Sequence, residues 1–446
     1  MTQENVASGR IVRASAADSA RLASSVLLPA LAIGVIKRRP TMLRMAERMQ
    51  ADRRPVALLR RLRDRYGEGL LTLPVPGRSI ALPLGSAAVG RILRDAPEPF
   101  SPASIEKVAA LRHFQPHGVL ISTGAERTAR RSLNETVLQP ERALHELADQ
   151  VTQIVREEAG ELVGDGTRQV RLDWDRFNRM WWRIVRRFVL GAQAREDDEV
   201  TDVLTKLRRD ANWAYLRPRR QRTRERFGLL LRRHLDRAES GSLAAVLDAR
   251  RVAGGSAGDQ VAHWLFAFDA AGMVTMRALA LLAAHPGEAE RARSELSPRE
   301  HDGAQELPFL RACALETVRL WPTTPLLLRR STEESGWGTA RLPGGTTTVI
   351  YCPYFHRDSE QLPFADKFAP GIWLDGSAKR YPALVPFSDG PARCPGRNLV
   401  LLVVSTLLGE LLRNHDIGVE SGPNLVPGRL PATIDNFALR FSLIPA

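Results

Sequence analysis

A single cysteine lies in a loop rich in proline and glycine, directly before an apolar stretch with helical periodicity. The loop reads FSDGPARCPG and contains Phe387, Gly390, Cys394 and Gly396, and the stretch RNLVLLVVSTLLGELL follows it. The unpaired backbone N–H groups and the dipole at a helix N-terminus stabilise an anion, so a thiolate is favoured at this position. The two glycines let the backbone approach a flat ligand closely, and the phenylalanine offers an aromatic face.

A thiolate with these neighbours can be an axial ligand of haem iron, where it donates electron density that favours cleavage of an O–O bond. The alternative is that Cys394 is a small buried apolar residue, which is the usual role of an isolated free cysteine. The loop alone leaves both interpretations open, and three other segments of the chain bear on the choice.

The first of these segments is FLRACALETVRLWP, in which Glu316 and Arg319 lie three residues apart on one face of a predicted helix. Charged pairs at this spacing are usually solvated. The neighbouring residues are apolar here, so we predict that the two side chains are buried and satisfy each other.

The second segment is AAGMVT, residues 270–275, in the middle of the most apolar predicted helix, residues 261–285. Its small residues would let a bulky group lie flat against the helix. Thr275, one turn further on, can reach into that gap or bond back to the backbone. The alternative interpretation is close helix–helix packing with a back-bonded threonine.

The third segment begins a helix with GAERTARR, which places Arg127 and Arg131 on the same face, four residues apart. Such a pair repels unless it meets anions, and the propionates of a haem would serve. The alternative is a solvated basic helix.

Composition restricts the classes of protein that need to be considered. The 446 residues are 44% hydrophobic, which is ordinary for a large single-domain enzyme. The three cysteines are scattered, which argues against a disulfide framework or a multi-cysteine zinc site and is typical of a reducing cytosol. The net charge of +14 is compatible with nucleic acid, an anionic membrane or an acidic protein partner. The arginines are spread over many predicted helices without a base-reading module, so nucleic-acid binding is disfavoured.

Helical periodicity dominates the chain, and strand signals are few. LLTLPV and RSIALPL predict a hairpin around Pro76-Gly77. An apolar run at residues 22–36 is too short and too interrupted to span a bilayer. We therefore expect a mainly α fold with a minor β-sheet region (α+β). One domain should cover residues 41–446, after a partly disordered N-terminal arm of residues 1–40 and without a transmembrane segment.

Taken in chain order, the four segments resemble those of the cytochrome P-450 family, the haem-thiolate monooxygenases. Phe387, Gly390 and Gly396 stand seven and four residues before Cys394 and two residues after it, as in the family's cysteine loop. The E-x-x-R pair and the A-G-x-x-T run also match. The resemblance covers the chain from about residue 40 to its end and favours an iron ligand at Cys394. It implies the family's single-domain fold, a triangular-prism-like helical body with small sheets.

The resemblance also implies haem b as the cofactor and assigns roles to particular residues. Cys394 would be the axial ligand of the iron. The residues implied to bind the haem are Cys394, Phe387, Gly396, Arg127, Arg131, Arg329 and Arg393. Those implied to line the oxygen side are Ala271, Gly272 and Thr275. Glu316 and Arg319 would form a structural pair, and the substrate pocket would include Ala267, Ala270, Leu326 and Phe437.

Three positions depart from the family pattern. Val274 stands where the family usually has an acid that helps to deliver protons, and valine cannot relay a proton. Ala392 stands where a basic residue is expected, with Arg393 one place later. Ile372 stands where an arginine often joins the E-x-x-R pair.

The leading expectation is a soluble, monomeric, cytoplasmic enzyme of the bacterial type. It would hydroxylate or epoxidise a small organic substrate of specialised metabolism, using O₂ and electrons from a separate acidic ferredoxin or flavodoxin-type protein. Val274 keeps open a haem-thiolate enzyme of another type, either peroxide-driven, isomerase-like, or transferring a nitrene or oxygen from a pre-oxidised substrate. A further alternative is a non-catalytic haem protein that binds a carrier-bound intermediate.

Overall fold

The structure, a computed structural model, describes residues 10–164, 168–250, 257–296 and 303–445. The chain forms two compact units, each assembled from segments that are distant in sequence. Unit 1 comprises Met1–Val108, Val318–Cys394 and Leu430–Ile434, and unit 2 comprises Ala109–Thr317, Pro395–Arg429 and Asp435–Ala446. The expectation of one domain over residues 41–446 stays a prediction.

Helices make up most of the structure, and the strands are short. The helices are α1 Ala16–Leu22, α2 Leu28–Ile33, α3 Pro40–Arg48, α4 Arg53–Tyr66, α5 Ser86–Arg94, α6 Ile105–Leu111, α7 Gly124–Leu138, α8 Ala148–Val163, α9 Trp174–Leu190, α10 Asp198–Ala211, α11 Gln221–Arg237, α12 Leu243–Ala249, α13 Ala257–Ala284, α14 Pro286–Ser294, α15 Pro308–Leu320, α16 Cys352–His356, α17 Gly371–Leu374 and α18 Arg397–Arg413. The strands are β1 Ile11–Arg13, β2 Leu70–Val75, β3 Arg78–Pro83, β4 Phe100–Ser101, β5 Val170–Leu172, β6 Leu326–Ser331, β7 Ser335–Trp337, β8 Ala340–Leu342, β9 Thr347–Tyr351, β10 His415–Ser421 and β11 Arg440–Pro445. The mainly α fold with a minor β-sheet region is confirmed.

The main sheet of unit 1 has the strand order β1-β2-β3-β9-β6-β4. The hairpin predicted around Pro76-Gly77 is confirmed, because β2 and β3 pair antiparallel with Val75 opposite Arg78. β9 reads TTVIY and is buried along its whole length, as β-branched and aromatic residues favour in a strand covered on both faces. β6 pairs with β9 and places Arg329 opposite Thr348. One of the predicted haem-binding arginines is therefore anchored in this sheet.

The N-terminal arm is built from β1, α1, a π-helical turn at Ala23–Leu27, and α2. β1 pairs parallel with β2, so the described part of the arm contains regular structure, and partial disorder of the arm stays a prediction. Residues 1–9 of the predicted arm lie outside the described residues. Only 22% of the segment Ala16–Ile33 is buried, and by length and composition this segment and α13 could each cross a membrane. The apolar 18-residue window of α13 is 83% buried, which is typical of a core helix.

Unit 2 is organised around α13, which confirms the central helix predicted at residues 261–285. α13 packs against α9 and α18. α18 is apolar on all sides and buried over most of its length, as expected of a helix enclosed by its neighbours. A second sheet, with strand order β10-β11-β5, also belongs to this unit. The turn before β11 is joined to α13, since Arg277 donates to Asn436 Oδ1 at 2.9 Å.

Candidate functional site

The cysteine loop, residues 387–394, is closed by its own backbone. The N–H of Cys394 donates to the carbonyl of Phe387 at 3.0 Å, and the N–H of Arg393 donates to Gly390 at 2.9 Å. A short 3₁₀ turn at Gly390–Ala392 lies between them. The backbone position of Cys394 is therefore fixed by the residues that precede it.

Gly390 is required by this loop, although for a different reason than the sequence predicted. Its φ is +65°, and a Cβ added there would lie 2.1 Å from the carbonyl oxygen of Leu93 at the end of α5. Only glycine fits such a conformation at such a contact. The close approach that the structure shows is to another part of the backbone, and the approach to a flat ligand stays a prediction.

The three cysteines differ in accessibility. Cys313 and Cys352 are 0% and 2% exposed. Burial raises the pKa of Cys313 well above its ordinary value and the pKa of Cys352 to about 12. Cys394 is partly accessible. It is therefore the least buried of the three cysteines.

A buried histidine, His356, joins Arg319 to the segment that leads into the cysteine loop. Arg319 Nη1 donates to the carbonyl of His356 at 2.7 Å, and His356 Nδ1 lies 3.2 Å from the carbonyl of Arg319. The N–H of Val385 donates to His356 Nε2 at 3.1 Å. Burial, followed by the Arg319 charge, lowers the pKa of His356 to about 3, which keeps Nε2 free to accept. Sequence reasoning missed His356, and its place in the YFHRD segment was the available signal.

Arg319 is satisfied by backbone carbonyls in addition to that of His356. Both it and Glu316 are 0% exposed, as predicted for a buried pair. Its guanidinium donates to the carbonyls of residues 364, 365 and 367 at 2.9 to 3.1 Å. Ile372, which stands where relatives often have arginine, lies in an apolar cluster with Leu362 and Leu384. Apolar packing therefore takes the place of the additional cation here.

Arg329 lies close to the cysteine loop and to a lysine that the sequence did not reveal. Arg329 is 2% exposed, and its Nη2 donates to Ser388 Oγ at 2.8 Å. Its Nη1 donates to the carbonyl of Leu328 at 3.0 Å, and Lys107 Nζ donates to the same carbonyl at 3.0 Å. Two cations therefore meet at one oxygen.

The remaining predicted residues near the cysteine differ in exposure. Phe387, Gly396 and Leu326 are half-buried, whereas Arg393 is exposed. Arg393 therefore differs from Arg329, which lies inside unit 1, and its predicted role stays a prediction.

In unit 2, Arg127 and Arg131 are in different environments. Arg127 is 8% exposed, and its Nε has no hydrogen-bond partner among the residues that the structure describes. Burial, followed by the charge of Arg131, lowers the pKa of Arg127. Arg131 forms an ion pair with Glu135 at 2.6 Å. Arg127 therefore fits an anionic ligand, while Arg131 has a carboxylate within the chain.

The small-residue run of α13, residues 270–275, makes both contacts that the packing interpretation predicts. It packs closely against another helix, and its threonine bonds back to the helix backbone. A Cβ added to Gly272 would lie 3.0 Å from Trp181 Nε1, and that nitrogen donates to the carbonyl of Phe268 at 2.9 Å. Thr275 is 0% exposed, and its hydroxyl donates to the carbonyl of Ala271 at 3.0 Å. Close packing on α9 and a back-bonded threonine thus account for this segment locally. Roles on the oxygen side stay predictions.

One stripe of α13 is more accessible than the rest of that helix. Ala267 and Ala270 are half-buried, together with His263 and Phe266 at helical spacing. Burial lowers the pKa of His263 to about 4, so its imidazole is neutral at pH 7. Phe437, also predicted for the pocket, is half-buried and meets the ring of Trp174 edge-on at 4.7 Å. His263 was not singled out from the sequence.

The one acid near the middle of α13, Asp269, is held in an ion pair. Arg208 Nη2 donates to Asp269 Oδ2 at 2.7 Å, and the side chains are 2% and 7% exposed. Val274, at the position where relatives often have an acid, is 5% exposed and apolar. Asp269 is therefore held in an ion pair by Arg208. It does not take over proton delivery from the acid that is missing at Val274.

Comparisons with known proteins agree with these features. Residues 262–429 match the family model described as cytochrome P-450. A probable cytochrome P-450 4s3 of Drosophila melanogaster is 32% identical over 139 residues, which is 31% of this chain and 28% of the relative. Cytochrome P-450 81D1 of Arabidopsis thaliana is 31% identical over 172 residues, 34% of either chain. The matches thus span about a third of the curated relatives' length.

Solved structures share the fold over most of the chain. CYP175A1 from Thermus thermophillus has a TM-score of 0.65 at 20% identity and covers 88% of this chain and 96% of its own. The retinoic acid bound cyanobacterial CYP120A1 has a TM-score of 0.67 at 18% identity, with 87% and 94% covered. At this identity the likeness establishes the fold. The match to the cytochrome P-450 family model covers residues 262–429, and the cysteine loop lies within that range.

Proposed function

We propose that this chain is a haem-thiolate oxidoreductase of the monooxygenase type, with Cys394 as the iron ligand of haem b. The observation that carries the proposal is the state of Cys394, the accessible one of three cysteines, in a loop closed by its own backbone. An accessible thiol at a fixed backbone position is what an axial ligand requires. A structural cysteine would be buried like Cys313 and Cys352.

The residues present fit a haem. Arg127 carries a buried nitrogen without a partner in the described chain, and a propionate would satisfy it. Arg329 is a buried cation anchored in the sheet next to Ser388. When bound, the haem would supply the iron at which dioxygen or peroxide is activated for transfer of oxygen to a C–H or C=C bond.

The chain's own residues would position the ligand and limit proton movement. The bond from the Cys394 N–H to Phe387 holds the thiolate-bearing residue, and the contact of His356 with Val385 holds the segment before it. The hydroxyl of Thr275 donates its hydrogen bond to the carbonyl of Ala271, so towards other groups its oxygen can act only as an acceptor. Val274 offers no group for proton transfer. Proton delivery would then depend on water or on the substrate.

The substrate we propose is a small organic molecule, with Ala267, Ala270, Leu326 and Phe437 among the residues of its pocket. The titles of two structural neighbours name retinoic acid and abiraterone as bound molecules, which supports an organic substrate with an extended apolar body. The net charge of +14 supports an acidic ferredoxin or flavodoxin-type electron donor. Placement in the cytoplasm, a monomeric state and a role in bacterial specialised metabolism are parts of the same proposal.

The test is the carbon monoxide difference spectrum of the reduced protein. The full chain should give the red-shifted Soret band of a thiolate ligand, and Cys394→Ser should abolish that band. Cys352→Ala is the matched control, since it removes a buried thiol elsewhere in unit 1 and should retain the band. A wild-type band without thiolate character, or an unchanged band in Cys394→Ser, would overturn the assignment.

A second candidate is a haem-thiolate enzyme that does not activate dioxygen, and the ion pair of Asp269 with Arg208 favours it. Together with the buried Val274, that pair leaves this part of α13 without an uncommitted acid. Such an enzyme would turn over faster with hydrogen peroxide alone than with O₂, NADH, a ferredoxin and its reductase. Tightly coupled turnover with the electron-transfer proteins would exclude this candidate.

A further inference from the structure

One face of α13 is partly accessible, although the helix around it is buried. Between residues 260 and 282, the half-buried positions are His263, Phe266, Ala267 and Ala270, and the others are buried. These four positions recur at helical spacing, so they share one face of the helix. His263 is the polar member of this face and lies one turn before Ala267, which belongs to the proposed substrate pocket.

The space in front of His263 is enclosed by protein. Burial lowers the pKa of this histidine to about 4, whereas an imidazole in contact with bulk water keeps a pKa near its ordinary value. The residue is nonetheless half-buried and not fully buried. A side chain that is both accessible and desolvated faces an internal cavity.

The imidazole of His263 has unused hydrogen-bonding capacity. Its Nδ1 is buried and has no hydrogen-bond partner in the described part of the chain, and its ring lies against that of Phe266, with 5.9 Å between the centroids. A neutral imidazole carries one N–H and one bare nitrogen. The proton is assigned to Nε2, because an unpaired buried N–H is rarer than an unpaired buried acceptor. Nε2 is then a donor that a ligand can meet.

The charges around this face favour a neutral oxygen as the acceptor. His263 is uncharged at pH 7, and burying an anion against a neutral donor is costly. Arg208 lies over the ring of Phe266, with 4.9 Å between the guanidinium carbon and the ring centroid, and is paired with Asp269 at 2.7 Å. A ketone, lactone or alcohol oxygen therefore suits Nε2 better than a carboxylate does.

We propose that His263 is a specificity-determining residue that donates from Nε2 to a neutral oxygen at one end of an elongated, apolar substrate. The inference rests on the proposed function, in which Ala271 is predicted to line the oxygen side. Ala271 lies about two turns further along α13, which is roughly 12 Å along the helix axis at ~1.5 Å per residue. The substrate oxygen should lie about that far from the carbon that is oxidised.

The experiment measures the binding of two isomeric ketones by calorimetry with the full chain. 2-Undecanone carries its carbonyl near one chain end, and 6-undecanone carries it in the middle, so the two probes differ only in the position of the oxygen. Wild type should bind 2-undecanone about fivefold more tightly, the factor expected for one neutral hydrogen bond. His263→Leu should lose this preference by weakening the binding of 2-undecanone, and His263→Gln, which keeps an N–H donor, should retain part of it.

Ala267→Val is the matched control. It narrows the same face of α13 one turn away and leaves the imidazole in place, so it should weaken the binding of both ketones and keep their ratio. His263→Phe serves as the second variant if His263→Leu does not fold, because it keeps an aromatic ring against Phe266 and removes the donor. A residue that only supports the fold would not change the ratio of two isomers.

Equal affinity of wild type for the two ketones, including no measurable binding of either, overturns the inference. Retention of the preference in His263→Leu and His263→Phe does the same. Calorimetry reads the heat of binding and not a haem band, so the outcome is separate from that of the carbon monoxide spectrum. A normal thiolate band without a ketone preference would overturn the role of His263 alone. A His263-dependent preference in a chain without that band would support the donor and overturn the haem assignment.

Discussion

The cysteine loop of unit 1 and the middle of α13 in unit 2 both carry family motifs, but they differ in how local contacts explain them. In α13, the packing of Gly272 on Trp181 and the bond from Thr275 to Ala271 account for the motif residues as elements of a helix. In the cysteine loop, backbone contacts explain Gly390, whereas Cys394 stays less buried than Cys313 and Cys352. A motif therefore points to chemistry most strongly where a reactive member stays partly exposed.

Among the substitutions that test this comparison, Gly390→Ala should cause the largest loss of stability. Its Cβ would lie 2.1 Å from the carbonyl oxygen of Leu93, at a φ of +65°, so the loop must move. We expect a loss of about 4 kcal/mol in the free energy of unfolding, at the severe end for a single substitution, with most of the haem lost. Urea denaturation and the ratio of haem to protein absorbance measure both.

Gly376→Ala is the matched control for that prediction. Gly376 has a similar φ of +76° but nothing within 4 Å of an added Cβ, so the substitution should cost only about 1 to 2 kcal/mol. Equal losses in the two variants would show that backbone conformation alone, and not the contact with Leu93, makes Gly390 necessary.

The next largest effect should be a fall in stability at low pH caused by His356, which supports the segment before the cysteine loop. Its pKa of about 3 in the folded protein lies below the ordinary value of 6.5. The unfolded chain therefore binds the extra proton first, and stability falls as the pH drops below 6.5, with no further loss below pH 3. This residue alone should remove about 2 kcal/mol of stability at pH 5.

Urea denaturation between pH 8 and pH 4.5 checks this expectation. Other histidines with a lowered pKa, such as His263 at about 4, add to the slope. The informative quantity is therefore the difference between wild type and His356→Gln, whose stability should depend less on pH. An unchanged slope in His356→Gln would mean that His356 is not held neutral.

Local periodicity was sufficient to predict the central helix at residues 261–285 and the β2–β3 hairpin, because each depends on residues close in sequence. The cysteine loop could be recognised because its motif lies within ten residues. His356 and Lys107 could not be found this way. Their roles depend on contacts with Val385 and Leu328 that only the folded chain brings about. The contact that requires a glycine at position 390 could not be predicted either, because it is made with the carbonyl oxygen of Leu93, which is distant in sequence.

The smallest effect should come from Gly272→Ala in α13, and it tests the other half of the comparison. The new methyl group would meet the indole of Trp181 at 3.0 Å, and overpacking of this kind costs about 1 to 3 kcal/mol. If packing alone requires this glycine, Trp181→Phe should recover most of that loss in the double variant, because the ring atoms nearest the new methyl group are removed. The reduced carbon monoxide spectrum should stay unchanged throughout. A displaced Soret band in Gly272→Ala that the double variant does not restore would instead assign Gly272 to the ligand side of α13.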